Sequence, residues 1–162
     1  MSEDARIGTM LAGYRIESLI GRGGMGTVYL AEEQGLGRKV ALKVLSADLA
    51  DDPRFRDRFV RESRLAASLE DPNIVPIYEA GESDGVLFIA MRYVGGTDLK
   101  ALIEAQGTLP LERTASIVSQ VASALDTAHE QGLIHRDVKP ANASWCPAAK
   151  VAPTRSICRT SD

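Results

Sequence analysis

The chain has 162 residues, of which 44% are hydrophobic and 25% charged, with a net charge of −3. This is one domain's worth of chain with enough apolar material to bury a core, and its charge balance gives no reason to expect nucleic acid or a membrane surface as the main partner. The longest apolar run, Val86 to Met91, is far too short to span a bilayer, and residues 1–13 lack the basic start and apolar stretch of a signal peptide, so the expected location is cytoplasmic.

In chain order, residues 1–13 are an N-terminal extension, and "YRIESLI" (14–20) is β-branched and aromatic enough to predict a strand. Glycines follow, then a second strand, "TVYLAEE" (27–33), and a third, "RKVALKVL" (38–45). From Pro53 to about Leu69 the spacing predicts a helix, with Phe55, Phe59, Ala66 and Leu69 on one face and Pro53 suited to a first turn. "NIVPIYEAG" and "GVLFIAMRYV" read as two more strands around the turn-forming "ESDG". "TDLKALIEAQG" carries a helix-cap pattern at Thr97-Asp98 and ends in glycine. A long amphipathic helix follows, with Ile117, Val118, Val121, Ala124, Leu125 and Ala128 along one stripe.

Three stretches carry chemistry. Gly21-x-Gly23-x-x-Gly26-x-Val28 lets a backbone approach phosphates closely. Dinucleotide-binding folds share that spacing but open a helix there, whereas here Thr27–Leu30 continues as a strand. Taken alone, the stretch reads first as a glycine-rich hairpin turn. Lys43 stands in the apolar strand "VALKVL" and needs an anionic partner, unless it is an edge lysine facing water. Glu62 shares the helix face of Phe59, Ala66 and Leu69 and is a candidate partner, although its arginine neighbours could satisfy it locally. "IHRDVKPAN" places Asp137, Lys139 and Asn142 within six residues: a proton acceptor, a cation for a phosphoryl group, and an oxygen for a hard metal ion.

In this order, residues 14–142 resemble the first part of a eukaryotic-type protein kinase, most like the bacterial serine/threonine kinases. The fold this implies is α+β: a five-stranded antiparallel small lobe with one inserted helix over residues 14–91, then hinge, two helices and catalytic loop over 92–142. The implied activity is phosphoryl transfer from MgATP to a Ser or Thr hydroxyl of a protein substrate. The resemblance implies that Ile20, Gly21, Gly23, Gly24 and Gly26 cover the ATP, that Val28 and Ala41 roof the adenine, and that Lys43 contacts the α- and β-phosphates while pairing with Glu62. Met91 would be the gatekeeper, with Arg92, Tyr93 and Val94 in the hinge. Asp137 would be the catalytic base, Lys139 would steady the γ-phosphate, and Asn142 would hold a Mg²⁺.

After Asn142 the composition changes. Both cysteines (Cys146, Cys158) and the lone tryptophan (Trp145) lie in residues 143–162, where Lys150, Arg155 and Arg159 face a single Asp162. Two cysteines without further ligands argue against a zinc site. The family's Asp-Phe-Gly is not found, and Ser144 stands where an apolar residue would floor the adenine. One permitted choice of codons, read from the third base of the Ala143 codon, restores an apolar strand and Asp-Phe-Gly. The expectation is therefore an out-of-frame, disordered tail from residue 143, following the first half of a kinase domain. On this reading the stripe on the long helix is left exposed, the chain is poorly soluble, and it binds ATP weakly without transferring phosphate. The alternatives are a non-catalytic ATP- or partner-binding lobe, or a non-functional gene fragment.

Overall fold

The computed structural model describes residues 4–145 and the short strand at 152–153. The chain divides into two compact units, Met1–Ala67 with Ile77–Tyr93, and Ser68–Pro76 with Val94–Asp162. The first unit is built on an antiparallel sheet of six strands: β1 (Met10–Leu11), β2 (Tyr14–Gly23), β3 (Gly26–Glu33), β4 (Lys39–Leu45), β5 (Ile77–Ser83) and β6 (Val86–Arg92), in the order β1-β2-β3-β4-β6-β5. The five expected strands are present, and β1 is an addition from the segment read as an extension. It was missed because its turn, Ala12-Gly13, holds an alanine at φ 49, where turn signals usually show asparagine or glycine. By contrast, the β5–β6 turn uses Asp84-Gly85 at φ 52 and 77, the dipeptide this mirror-image turn favours.

Side chains alternate across the sheet with period two. Tyr14, Ile16, Tyr29, Ala31, Val40, Leu42, Val44, Phe88 and Ala90 make one cluster, covered by Leu11 with Ile7, Ala12 and Val86. The intervening residues of β3, β4 and β6 therefore face the other way, and among them are Val28, Ala41, Lys43 and Met91. Between β4 and β5 lie α1 (Ala47–Ala50) and α2 (Pro53–Ala67). The expected apolar face of α2 is buried: Phe55 and Phe59 are each 1% exposed and stack with centroids 6.5 Å apart. Each such ring contributes about 1.5–3 kcal/mol through burial. β5 begins at Ile77 rather than at residue 73, because Pro76 has no N–H to donate and Ile74 packs in the second unit.

The second unit contains β7 (Thr97–Asp98), α3 (Leu99–Gln106), α4 (Leu111–Glu130), a 3₁₀ turn at Pro140–Asn142, β8 (Ala143–Trp145) and β9 (Ala152–Pro153). Asp98 caps α3: its Oδ1 accepts from the Ala101 N–H at 2.8 Å. Asp98→Ala should lower stability by about 1 kcal/mol, read as a shift in the urea midpoint at unchanged slope.

Two expectations are corrected here. The α4 stripe is largely covered from within the unit. Leu99, Leu102 and Ala143 pack on Ile117, while Leu69 and Ile74 pack on Ala124 and Ala128. Val118 (60% exposed) and Leu111 (83%) are what stays outside. Residues 143–145 are not disordered: β8 pairs with β7 and β9, Ala143 is buried, and the Arg113 guanidinium lies 4.6 Å from the Trp145 ring centre. Both cysteines and, apart from Ala152 and Pro153, the rest of the segment read as out-of-frame lie outside the described residues. No helix among the described residues is long and apolar enough to cross a membrane.

Candidate active site

In the first unit, cross-strand pairing assembles a row of residues on the sheet face away from the Tyr14 cluster. Gly21 of β2 stands opposite Val28 of β3, Val28 opposite Lys43 of β4, and Lys43 opposite Ile89 of β6. A second row runs Leu30, Ala41, Met91. Two irregularities in β2 create this register. β2 pairs Ile16 with Ala31 and then Ser18 with Leu30, and Leu19 with Tyr29 and then Gly21 with Val28, so that Glu17 and the half-exposed Ile20 are left unpaired in the ladder. Without those two extra residues, Gly21 would fall out of line with Lys43.

The glycines of the turn divide into two kinds. Gly26 has φ +146, and a Cβ there would sit 2.1 Å from the Val44 carbonyl oxygen, so the approach of β4 demands glycine. A Cβ on Gly21, Gly23 or Gly24 would meet nothing within 4 Å. Packing within the chain does not call for glycine at those three positions, whereas an approaching phosphate would. Lys43 and Glu62 are both half-buried, and neither is without a partner.

In the second unit the chemistry is gathered in one loop. α4 ends where Gly132, at φ 74, donates to the His129 carbonyl and Leu133 donates to that of Ala128. Arg136 takes φ 61, a left-handed conformation uncommon for a non-glycine residue and characteristic of functional loops. It turns the chain so that Asp137 is half-buried and faces its neighbours. Lys139 Nζ lies 2.9 Å from Asp137 Oδ2. Asn142 Nδ2 donates to the Asp137 carbonyl oxygen at 2.8 Å and to its Oδ2 at 3.0 Å. Both partners of that amide nitrogen are acceptors, which fixes the amide's orientation and turns Oδ1 the other way. The backbone closes the loop through Asn142 N–H to the Lys139 carbonyl at 2.9 Å.

Residues 14–143 match the family described as "Protein kinase domain". The chain belongs to this family. Among similar proteins, the serine/threonine-protein kinase PknH of Mycobacterium bovis is 47% identical over 141 residues, which are 87% of this chain and 24% of the relative. PknE of Mycobacterium tuberculosis is 50% identical over 139 residues, 86% of this chain and 25% of that protein. The crystal structure of the Mycobacterium tuberculosis PknI kinase domain superposes with a TM-score of 0.83 at 41% identity, covering 92% of this chain and 61% of that one. The chain thus spans about a quarter of the length of these relatives and about three fifths of the solved kinase domain.

Within this kinase-family chain, Ile20, Gly21, Gly23, Gly24, Gly26, Val28, Ala41, Lys43, Glu62, Met91 and Tyr93 all lie in the first unit. Val94, Asp137, Lys139 and Asn142 lie in the second. The first unit ends at Tyr93 and the second resumes at Val94. Met91 is 5% exposed and Tyr93 40%. Sequence reasoning missed Asp4. Its carboxylate accepts from Arg22 within the glycine-rich turn at 2.6 Å and from the Tyr29 hydroxyl at 3.0 Å. No local signal could have revealed contacts made across 18 and 25 residues.

Proposed function

We propose that this chain supplies the nucleotide-binding and catalytic-loop parts of an ATP-dependent protein serine/threonine kinase, which transfers phosphate from MgATP to a protein hydroxyl. The observation that carries the reading is the loop in which one carboxylate, Asp137, is held by both Lys139 and Asn142. The open space at Gly21, Gly23 and Gly24, with Gly21 in register with Lys43 through Val28, supports the ATP half of it.

On this reading the glycine backbone lies over the phosphates, and Lys43, oriented by Glu62, neutralises the α- and β-phosphates. Val28 and Ala41 cover the adenine with Ile20, and Met91, Tyr93 and Val94 line its edge. The substrate hydroxyl gives its proton to Asp137 as its oxygen attacks the γ-phosphorus, and the bond from that phosphorus to the β,γ-bridging oxygen breaks, so that ADP leaves with the bridging oxygen and its electron pair. Lys139 then balances the negative charge on the moving phosphoryl group. Mg²⁺, when bound, neutralises phosphate charge. Asn142 fits it as one hard oxygen ligand, because its amide nitrogen is committed to Asp137 and its Oδ1 is turned away. The 162-residue sequence contains no Asp-Phe-Gly to supply a second ligand of the family's kind. For the 162 residues alone the proposal is therefore MgATP binding, with transfer assigned to a domain that carries Asp-Phe-Gly. The cytoplasmic location belongs to the same proposal.

Titration of the chain with MgATP in a calorimeter tests this directly. Binding is expected, weakened roughly 10- to 100-fold by Lys43→Ala, the range for losing a charge-assisted hydrogen bond. Binding that is indifferent to Lys43 would remove the basis for the nucleotide site.

A further inference from the structure

Residues 8–11 pair along the edge of β2, and ahead of them Ile7 and Asp4 reach the sheet face opposite the Gly21–Val28–Lys43 row. Gly8 donates to the Ile16 carbonyl at 2.8 Å, Ile16 donates back to Thr9 at 2.9 Å, and β1 continues this pairing to Leu11. Ile7 packs on the Tyr14 cluster. The segment is thus anchored by backbone bonds and by apolar burial, and its front end carries Asp4. Both oxygens of that carboxylate are used. Oδ1 accepts from the Arg6 N–H at 3.1 Å, and Oδ2 accepts from Tyr29 and Arg22. Asp4 is 13% exposed at its side chain while Arg22 is 61% exposed, so the fixed member of the pair is the aspartate.

Register explains why Arg22 reaches this side. Arg22 pairs with Thr27, one step from the Gly21–Val28 pair, so its side chain leaves the face that carries Lys43 and joins the face of Tyr29. The residue between two loop glycines is therefore held from behind, at a point that a ligand over the glycines would not touch.

We propose that Asp4 is a positioning residue: through Arg22 it holds the glycine-rich turn in one pose, so that a nucleotide need not order the turn when it binds. The nucleotide part of this rests on the function proposed above, whereas the holding of the turn does not. A turn already ordered loses less conformational freedom on binding, and the saving appears as affinity. The carboxyl of Asp4 is held below its usual value, chiefly by the Arg6 N–H, so the clamp is fully charged at neutral pH.

Hydrogen exchange in the nucleotide-free 162-residue chain is the primary test, comparing wild type, Asp4→Asn, Arg22→Gln and the double variant. Asp4→Asn should speed exchange of amides 21–25 roughly two- to five-fold, the range for an exposed ion pair, with β4 and β6 unchanged. It should have no effect once Arg22 is Gln, and the difference should shrink in 1 M salt. Unchanged exchange at 21–25, or an equal effect in the Arg22→Gln background, would overturn the proposal. MgATP affinity, measured on the same four chains, should fall by a similar factor in both single variants. Wild-type affinity retained in Asp4→Asn, despite faster exchange, would overturn the link to binding. If no chain binds MgATP, the function proposed above fails and so does that link, while the exchange data still decide the clamp.

Discussion

Asp137→Asn is expected to abolish nearly all phosphoryl transfer, by roughly 10²- to 10⁴-fold, the contribution typical of a positioned general base. The measurement needs a domain competent for transfer. Residues 1–142 can be joined to the segment that follows the matching asparagine in PknH, a relative 47% identical to this chain. Labelled phosphate incorporation into a protein substrate then gives the rate. Lys139 Nζ and Asn142 Nδ2 both meet the same oxygen, Oδ2, at 2.9 and 3.0 Å, so the amide oxygen of an asparagine at residue 137 can take that place and accept from both. The loop should keep its shape, and MgATP affinity should stay within a few-fold because the glycines and Lys43, proposed above to meet the phosphates, are untouched. A fall in kcat at constant KM for ATP is the expected signature. A variant that retains more than a tenth of the rate would remove Asp137 from the role of base.

Gly26→Ala carries the second large effect, and it concerns stability. The added methyl would sit 2.1 Å from the Val44 carbonyl oxygen and 2.9 Å from the Leu45 Cα, at φ +146. Both obstacles are backbone atoms that cannot swing aside, so β3 must separate from β4 where Gly26 pairs with Leu45. A loss of roughly 2–4 kcal/mol is expected, seen as a lower urea midpoint. Gly24→Ala is the informative comparison. Its Cβ enters open space, so the midpoint should barely move, while MgATP binding weakens. Equal midpoints for the two variants would contradict the register of β3 on β4.

Much of this was legible in the residues because the signals are local. The glycine spacing, the apolar run around Lys43, the Phe55–Phe59 face and the "HRDVKPAN" string each lie within one element or turn, where backbone geometry and period settle the outcome. The Asp84-Gly85 turn and the Asp98 cap belong to the same class. The errors were nonlocal. β1 escaped notice because its hairpin turn uses an alanine at positive φ, and because its worth comes from covering the Tyr14 cluster. Ala143 to Trp145 looked foreign by composition, yet a strand needs only backbone pairing and one small buried side chain. Ala143 meets that need beside Leu99, Leu102 and Ile117. The exposed stripe expected on α4 was overstated for the same reason: Leu69 and Ile74 are far away in sequence and adjacent in space.

The sequence by itself determined the family, the α+β class and the identities of the groups at the candidate site. Such motifs constrain which atoms are present and the local turns that present them. Only the tertiary structure decided which sheet face each side chain takes, because the register shifts at Glu17 and Ile20 together bring Gly21 opposite Val28 and place Arg22 on the far side. It alone decided that Asp4 meets Arg22, and that Asp137 is held by Lys139 and Asn142 at hydrogen-bond distance. Register and hydrogen bonding depend on how distant segments close against one another, and no window of residues contains that information.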